Sequence, residues 1–150
     1  MTAFATVEDG RPLKIVQVGA GGMGRAWLRA ITVDPLVELV GLVDLDLDTA
    51  RRALAEEGIP GEVALGTSAA TVAAQTRADA VVNVTVPVAH LPVNLEALAA
   101  GLPVLCEKPA APTLAQAYAQ AAVAERYGQL LMISQSRRYY AALDAARTSL

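Results

Sequence analysis

Charge, aromatic rings and sulfur are all scarce in this chain. Charged residues make up 18% of its 150 positions, aromatics 4%, and Cys106 is the one cysteine. Each shortage excludes something. A nucleic-acid surface needs clustered Lys and Arg, and 12 of these against 15 Asp and Glu, with no basic stripe, set that class aside. A lone cysteine closes no internal disulfide, so a reducing cytoplasm is the expected compartment. No apolar run approaches the ~18 residues of a membrane span, so no membrane partner is expected. The first ten residues hold Glu8 and Asp9 and no Lys or Arg, unlike the start of a secretory leader. No metal site is expected.

What is present is apolar. Hydrophobic residues make up 54% of the chain, too many for disorder. Strands buried on both faces read as continuous apolar runs, and such runs recur here. After a loose extension over residues 1–12, strands are predicted at 13–18, 37–43, 62–65, 80–85, 103–106 and 130–134. Helices are predicted between them at 22–33, 48–57, 67–76, 89–100 and from about Thr113 to Gly128. Asp48 is the expected cap of the second helix and Gly58 its stop. Thr113 and Gln116 have capping-box spacing. A last helix begins near Tyr140. Regular alternation of this kind predicts right-handed βαβ crossovers and a parallel sheet covered on both faces. The expected fold is one α/β domain over residues 13–139, a Rossmann-type doubly wound sheet of about six strands.

The first strand runs into Gly19-Ala20-Gly21-Gly22-Met23-Gly24. Gly19, Gly21 and Gly24 have G-x-G-x-x-G spacing, a weak signal alone and a stronger one between a strand and a helix. Gly19 suits the tight turn, Gly21 lets backbone approach a pyrophosphate, and Gly24 lets the helix pack close on the sheet. The helix N-terminus then offers N–H groups to the phosphates. Met23 either lies over this loop or packs in the core. Asp44 ends the second strand, 20 positions after Gly24. A carboxylate there accepts from both adenosine ribose hydroxyls and repels a 2′-phosphate, so NAD is expected over NADP, which stays possible. Methyltransferases that bind S-adenosylmethionine place a glycine loop and an acid similarly, usually without the third glycine.

Glu107 and Lys108 follow the fifth strand. Charges at a buried strand end are costly unless paired or functional. From position alone, Lys108 reads equally as a donor to a substrate oxygen or as part of a solvated ion pair in a surface turn.

Four segments in this order, VGAGGMG, Asp44, DAVVNVTVPVAH from Asp79 to His90, and ALAAGLPVLCEKP ending at Pro109, resemble the N-terminal half of the Gfo/Idh/MocA oxidoreductases (glucose-fructose oxidoreductase, inositol dehydrogenase, rhizopine catabolism). The resemblance covers the chain from about Leu13 onward. It implies that Lys108 assists hydride transfer at a carbinol carbon of a sugar, polyol or related compound. It implies that Glu107 helps build the nicotinamide site, and that Thr85, Pro87 and His90 run alongside the cofactor. The family pattern has Thr and Pro adjacent; here Val86 intervenes. His90 reads alternatively as a cap of the following helix. Arg138 is carried over as a substrate contact, with a solvated charge as the bland alternative. Trp27 reads as core or subunit-facing, Cys106 as a buried strand residue. The bond before Pro109 is expected to be trans, since cis occurs at only ~5% of such bonds.

The resemblance also implies a second α/β domain that supplies most substrate contacts and the oligomer interface. On that reading residues 140–150 begin the helix leading into it, and the chain by itself binds cofactor and scarcely catalyses. A non-catalytic nucleotide-binding or regulatory module is the alternative; Glu107-Lys108-Pro109 favours the enzyme.

Overall fold

A computed structural model describes residues 10–59, 61–136 and 140–148. The readings of residues 1–9 and of Arg138 fall outside them. The order is β1 (Leu13–Val18), α1 (Gly22–Val33), β2 (Val37–Val43), α2 (Leu47–Glu56), β3 (Ala64–Gly66), α3 (Ala69–Thr76), β4 (Ala80–Asn83), α4 (Pro87–Ala99), β5 (Val104–Glu107), α5 (Leu114–Tyr127), β6 (Leu131–Ser134) and α6 (Ala141–Thr148). The six strands form one sheet in the order β3-β2-β1-β4-β5-β6. Every neighbouring pair is parallel, as the alternation predicts.

Both faces are covered because both carry apolar side chains. Leu28 and Ile31 of α1 and Ala50 and Ala53 of α2 pack with Ile15, Leu42, Val82 and Val84 on one face. Val72 and Ala73 of α3, Ala97 and Leu98 of α4 and Ala124 of α5 pack with Val16, Val81 and Val104 on the other. Alanine lets these helices approach closely: Ala50, Ala53 and Ala97 are completely buried. The strand order reverses between β1 and β4. That switch point opens a crevice at the C-terminal strand ends, where ligands bind in open α/β sheets.

Several boundaries shift for local reasons. Asp46, not Asp48, caps α2: its side chain accepts from Asp48 N, and Asp48 pairs with Arg51 instead. β3 begins at Ala64, where pairing with Gly41 begins, rather than at Glu62. β4 stops at Asn83, because α4 starts earlier, at Pro87, whose missing N–H is harmless at a first helical position. Thr113 caps α5 through Gln116 N at 3.3 Å. Gln116 Oε1 is buried without a partner among the described residues, so it does not return the bond of a full capping box. Gly128 ends α5 in the left-handed conformation at φ 64°. No helix is long and apolar enough to cross a membrane among the described residues.

Candidate functional site

The glycine loop leaves β1 at the switch point. Gly19 has φ 104°, and a Cβ there would stand 2.9 Å from the Val84 carbonyl oxygen. Gly24 is buried, and its Cβ would collide with the Gly19 carbonyl, 2.8 Å from its carbon. Both therefore serve the loop's own packing. Gly21 and Gly22 differ: apart from their own stretch of chain, no atom of the described residues lies within 4 Å of where their Cβ would stand, so the space over the helix start is open. Gly21 precedes α1 without a side-chain cap, and the first turn carries no acidic residue. An anion such as a pyrophosphate fits here, against amides that no side chain occupies. Met23 is 51% exposed beside them, so its core alternative falls.

Two side chains brace the loop. Gln17, completely buried on β1, donates through Nε2 to Gly19 O at 2.8 Å and Gly24 O at 3.0 Å. Its Oε1 is buried without a partner among the described residues. Asp44 is half-buried at the end of β2, and its Oδ2 accepts from Ala20 N at 2.8 Å. Its Oδ1 accepts from Asp46 N at 3.1 Å. Gln17 was hidden in an apolar strand; its one sequence signal is polarity in the middle of an otherwise apolar run.

Across the switch point a buried polar network holds the opposite wall. Asn83 accepts from Thr85 Oγ1 at 2.6 Å and donates to Asn94 Oδ1 at 2.8 Å. Asn94 donates to Gln120 Oε1 at 2.7 Å, and Gln120 donates to Ala110 O at 2.8 Å. His90 is 1% exposed. Its ring nitrogens lie 2.7 Å from the Pro109 carbonyl oxygen and 3.1 Å from that of Thr85. His90 is therefore no helix cap: it stands inside α4 and joins the turn after β4 to the turn after β5. Pro87 opens α4 at the exposed rim between Val86 and Val88, which are 62% and 73% exposed. Cys106 is completely buried beside this network, and burial pushes its thiol up to about 11 against a smaller lowering by a hydrogen bond with Asn94. An ordinary core strand residue was expected, and nothing activates it.

That second turn carries Glu107, Lys108 and Pro109. The Lys108–Pro109 peptide is cis, not the expected trans. Lys108 is exposed in this turn and makes no ion pair among the described residues. Glu107 is half-buried; its Oε2 accepts from Lys108 N at 2.9 Å and its Oε1 from Trp27 Nε1 at 3.2 Å. Trp27, expected to face only core or another subunit, thus reaches this motif from α1. The structure brings the glycine loop, Asp44, Thr85, Pro87, Glu107 and Lys108 to one edge of the sheet, with His90 beneath it.

Comparison with known proteins agrees with this geometry. The family described as oxidoreductases with an NAD-binding Rossmann fold matches residues 13–135. The rhizopine catabolism protein MocA of Rhizobium meliloti is 35% identical over 130 residues, 87% of this chain and 39% of that protein. An inositol 2-dehydrogenase of an Arthrobacter species is 35% identical over 136 residues, 87% of this chain and 40% of that protein. A crystal structure of the WlbA dehydrogenase from Bordetella pertussis with NADH and UDP-GlcNAcA is similar at a TM-score of 0.83 and 25% identity, over 93% of this chain and 39% of that one. The chain spans about two fifths of the length of these relatives. An oxidoreductase match decides against the methyltransferase alternative.

Proposed function

We propose, since this chain belongs to the Gfo/Idh/MocA family of oxidoreductases with an NAD-binding Rossmann fold, that it is the cofactor half of a dehydrogenase acting on a sugar, polyol or related hydroxy compound. The observation that carries this reading is the common edge shared by the open loop at Gly21 and the exposed Lys108. The names of the relatives, a rhizopine catabolism protein and an inositol dehydrogenase, support the substrate class.

In this reading the amides of Gly21, Gly22 and Met23 at the start of α1 hold the pyrophosphate. Gly19 and Gly24 keep that backbone in shape. Asp44 keeps lone pairs free beyond its two backbone bonds, and these accept from the adenosine ribose hydroxyls. Its charge favours NAD over NADP. Thr85 and Pro87 line the cofactor's flank, and Glu107 closes the nicotinamide end. Bound nicotinamide supplies the acceptor or donor of a hydride. Lys108 donates a hydrogen bond to the reacting oxygen and relays its proton, a role suited to an ammonium on a flexible stem. Residues 13–139 form the cofactor domain, and 140–150 lead toward a second domain that carries most substrate contacts and the oligomer interface. The proposed compartment is the cytoplasm.

Titration of the chain with NADH, NADPH and S-adenosylmethionine tests this. NADH should bind at least about tenfold tighter than NADPH, and S-adenosylmethionine should not compete. Gly21→Ala should leave the unfolding free energy in urea within about 0.5 kcal/mol of wild type and weaken NADH at least about tenfold. No binding of NADH, or full binding by Gly21→Ala, would overturn the reading.

A further inference from the structure

We infer that Trp27 is a positioning residue of this site: its indole N–H, donated to Glu107, ties the helix that starts at the glycine loop to the turn that carries Lys108. The inference rests on the cofactor reading above and adds a residue to it.

Three observations support the role. The first is the ring's seat. Trp27 is half-buried on α1 and packs against the cluster of Ile15, Ile31, Val82 and Val84, as Leu105 of β5 also does. Apolar packing alone would be met by phenylalanine. The second is the direction of the polar end. Indole Nε1 is a donor only, and it finds the Glu107 carboxylate 80 residues along the chain at 3.2 Å. The third is what Glu107 does with its other oxygen, which accepts from Lys108 N at 2.9 Å. The carboxylate is thus held between a donor from α1 and a donor from the lysine's own backbone.

The consequence is mechanical and electrostatic. A carboxylate beside Lys108 that was free to rotate could swing toward the ammonium and pair with it. Held by both oxygens, it leaves the ammonium unpaired and the backbone at Lys108 fixed. A hydrogen bond to a charged acceptor is among the stronger kinds, so one indole can hold this orientation. The same helix begins at the pyrophosphate seat. Cofactor seat and lysine turn are therefore joined through a single side chain as well as through the sheet.

The test uses the chain's only tryptophan as its own reporter. Trp27→Phe keeps the ring and removes the donor; Glu107→Ala removes the acceptor. Each should weaken NADH about tenfold, and the double variant should be no weaker than either single one. Additive losses, or NADH binding by Trp27→Phe equal to wild type, would sink the inference. Should Trp27→Phe fail to fold, Glu107→Ala still reports. Removing a negative charge beside the pyrrole nitrogen should shift the tryptophan emission of the unliganded chain to shorter wavelength, and an unmoved spectrum overturns the contact. That measurement needs no cofactor. An unmoved spectrum with tight NADH binding defeats the role of Trp27 alone, and a shifted spectrum with no NADH binding defeats the cofactor reading.

Discussion

The two walls of the crevice are made of different materials. The β1 wall is backbone: glycines where a Cβ would strike the chain itself or fill the open space, with Gln17 and Asp44 bracing the turn. The β4–β5 wall is side chain: Asn83, His90, Asn94 and Gln120 lie at 1% exposure or less and reach one another or the two turns through hydrogen bonds. A backbone wall is written as a spacing of glycines within six residues. A side-chain wall is written as four polar residues scattered from 83 to 120, each unremarkable alone. The difference teaches that a glycine-built turn advertises itself in sequence and the scaffold of a lysine turn does not.

Substitutions can break that contrast. The largest effect is expected at Gly24→Ala. Its Cβ meets the Gly19 carbonyl and lies 3.2 Å from Gln17 Nε2, and backbone cannot yield as a side-chain tip can. Stability in urea should fall by about 3 kcal/mol, the upper part of the usual overpacking range, and NADH binding should go with it. An unaffected melt would mean that the loop is not backbone-packed.

Asn94→Ala comes next. It leaves the Asn83 amide with only the His90 carbonyl at 3.3 Å and strands the Gln120 carbonyl, both buried, and should cost about 2 kcal/mol. NADH should still bind, because the phosphate seat is on the other wall. If NADH binding collapses while stability holds, the two walls are not separable in the way described here.

The smallest effect is expected at the opposite edge of the sheet. Asp79 accepts from Arg11 at 2.6 and 2.7 Å and from Lys14 N at 2.8 Å. These donors, Arg11 first, hold its carboxyl below the ordinary value of 3.8 despite partial burial. A depressed folded value means that the contribution is full above about 3.8 and is lost as pH falls through the lower folded value. Arg11 is 40% exposed, so water screens the pair. Asp79→Asn should cost about 1 kcal/mol at pH 7, and the gap to wild type should close in acid melts. NADH affinity should not move. A gap that persists at low pH would remove the ionic explanation.

Much of the fold was legible because its signals are local. Apolar runs, glycine stops and cap residues repeat within a turn or two of each element, and Thr113 and Gly128 sit where such signals put them. The boundaries moved where a competing local choice won, as when Asp46 took the cap expected of Asp48. The loop geometry was legible where residue type and position coincide: Gly19 and Gly24 pack the turn, and Asp44 braces it. The crevice walls were not legible at Gln17, Asn83, Asn94 and Gln120, because a lone polar residue in an apolar stretch does not say what it will meet. For the same reason the core reading of Trp27 held without showing its bond to Glu107, and the cap alternative for His90 fell.

By itself, then, the sequence determined the alternation of strands and helices, the parallel sheet that follows from it, and the glycine turn with the acid that braces it. Periodicity and glycine spacing act over a few residues, and chirality does the rest. Only the tertiary structure decided which side chains stand behind the lysine turn. Trp27 meets Glu107, and His90 meets Pro109, only once the crossovers have set β1, β4 and β5 side by side. A hydrogen bond across 80 residues depends on that arrangement, and no local pattern carries it.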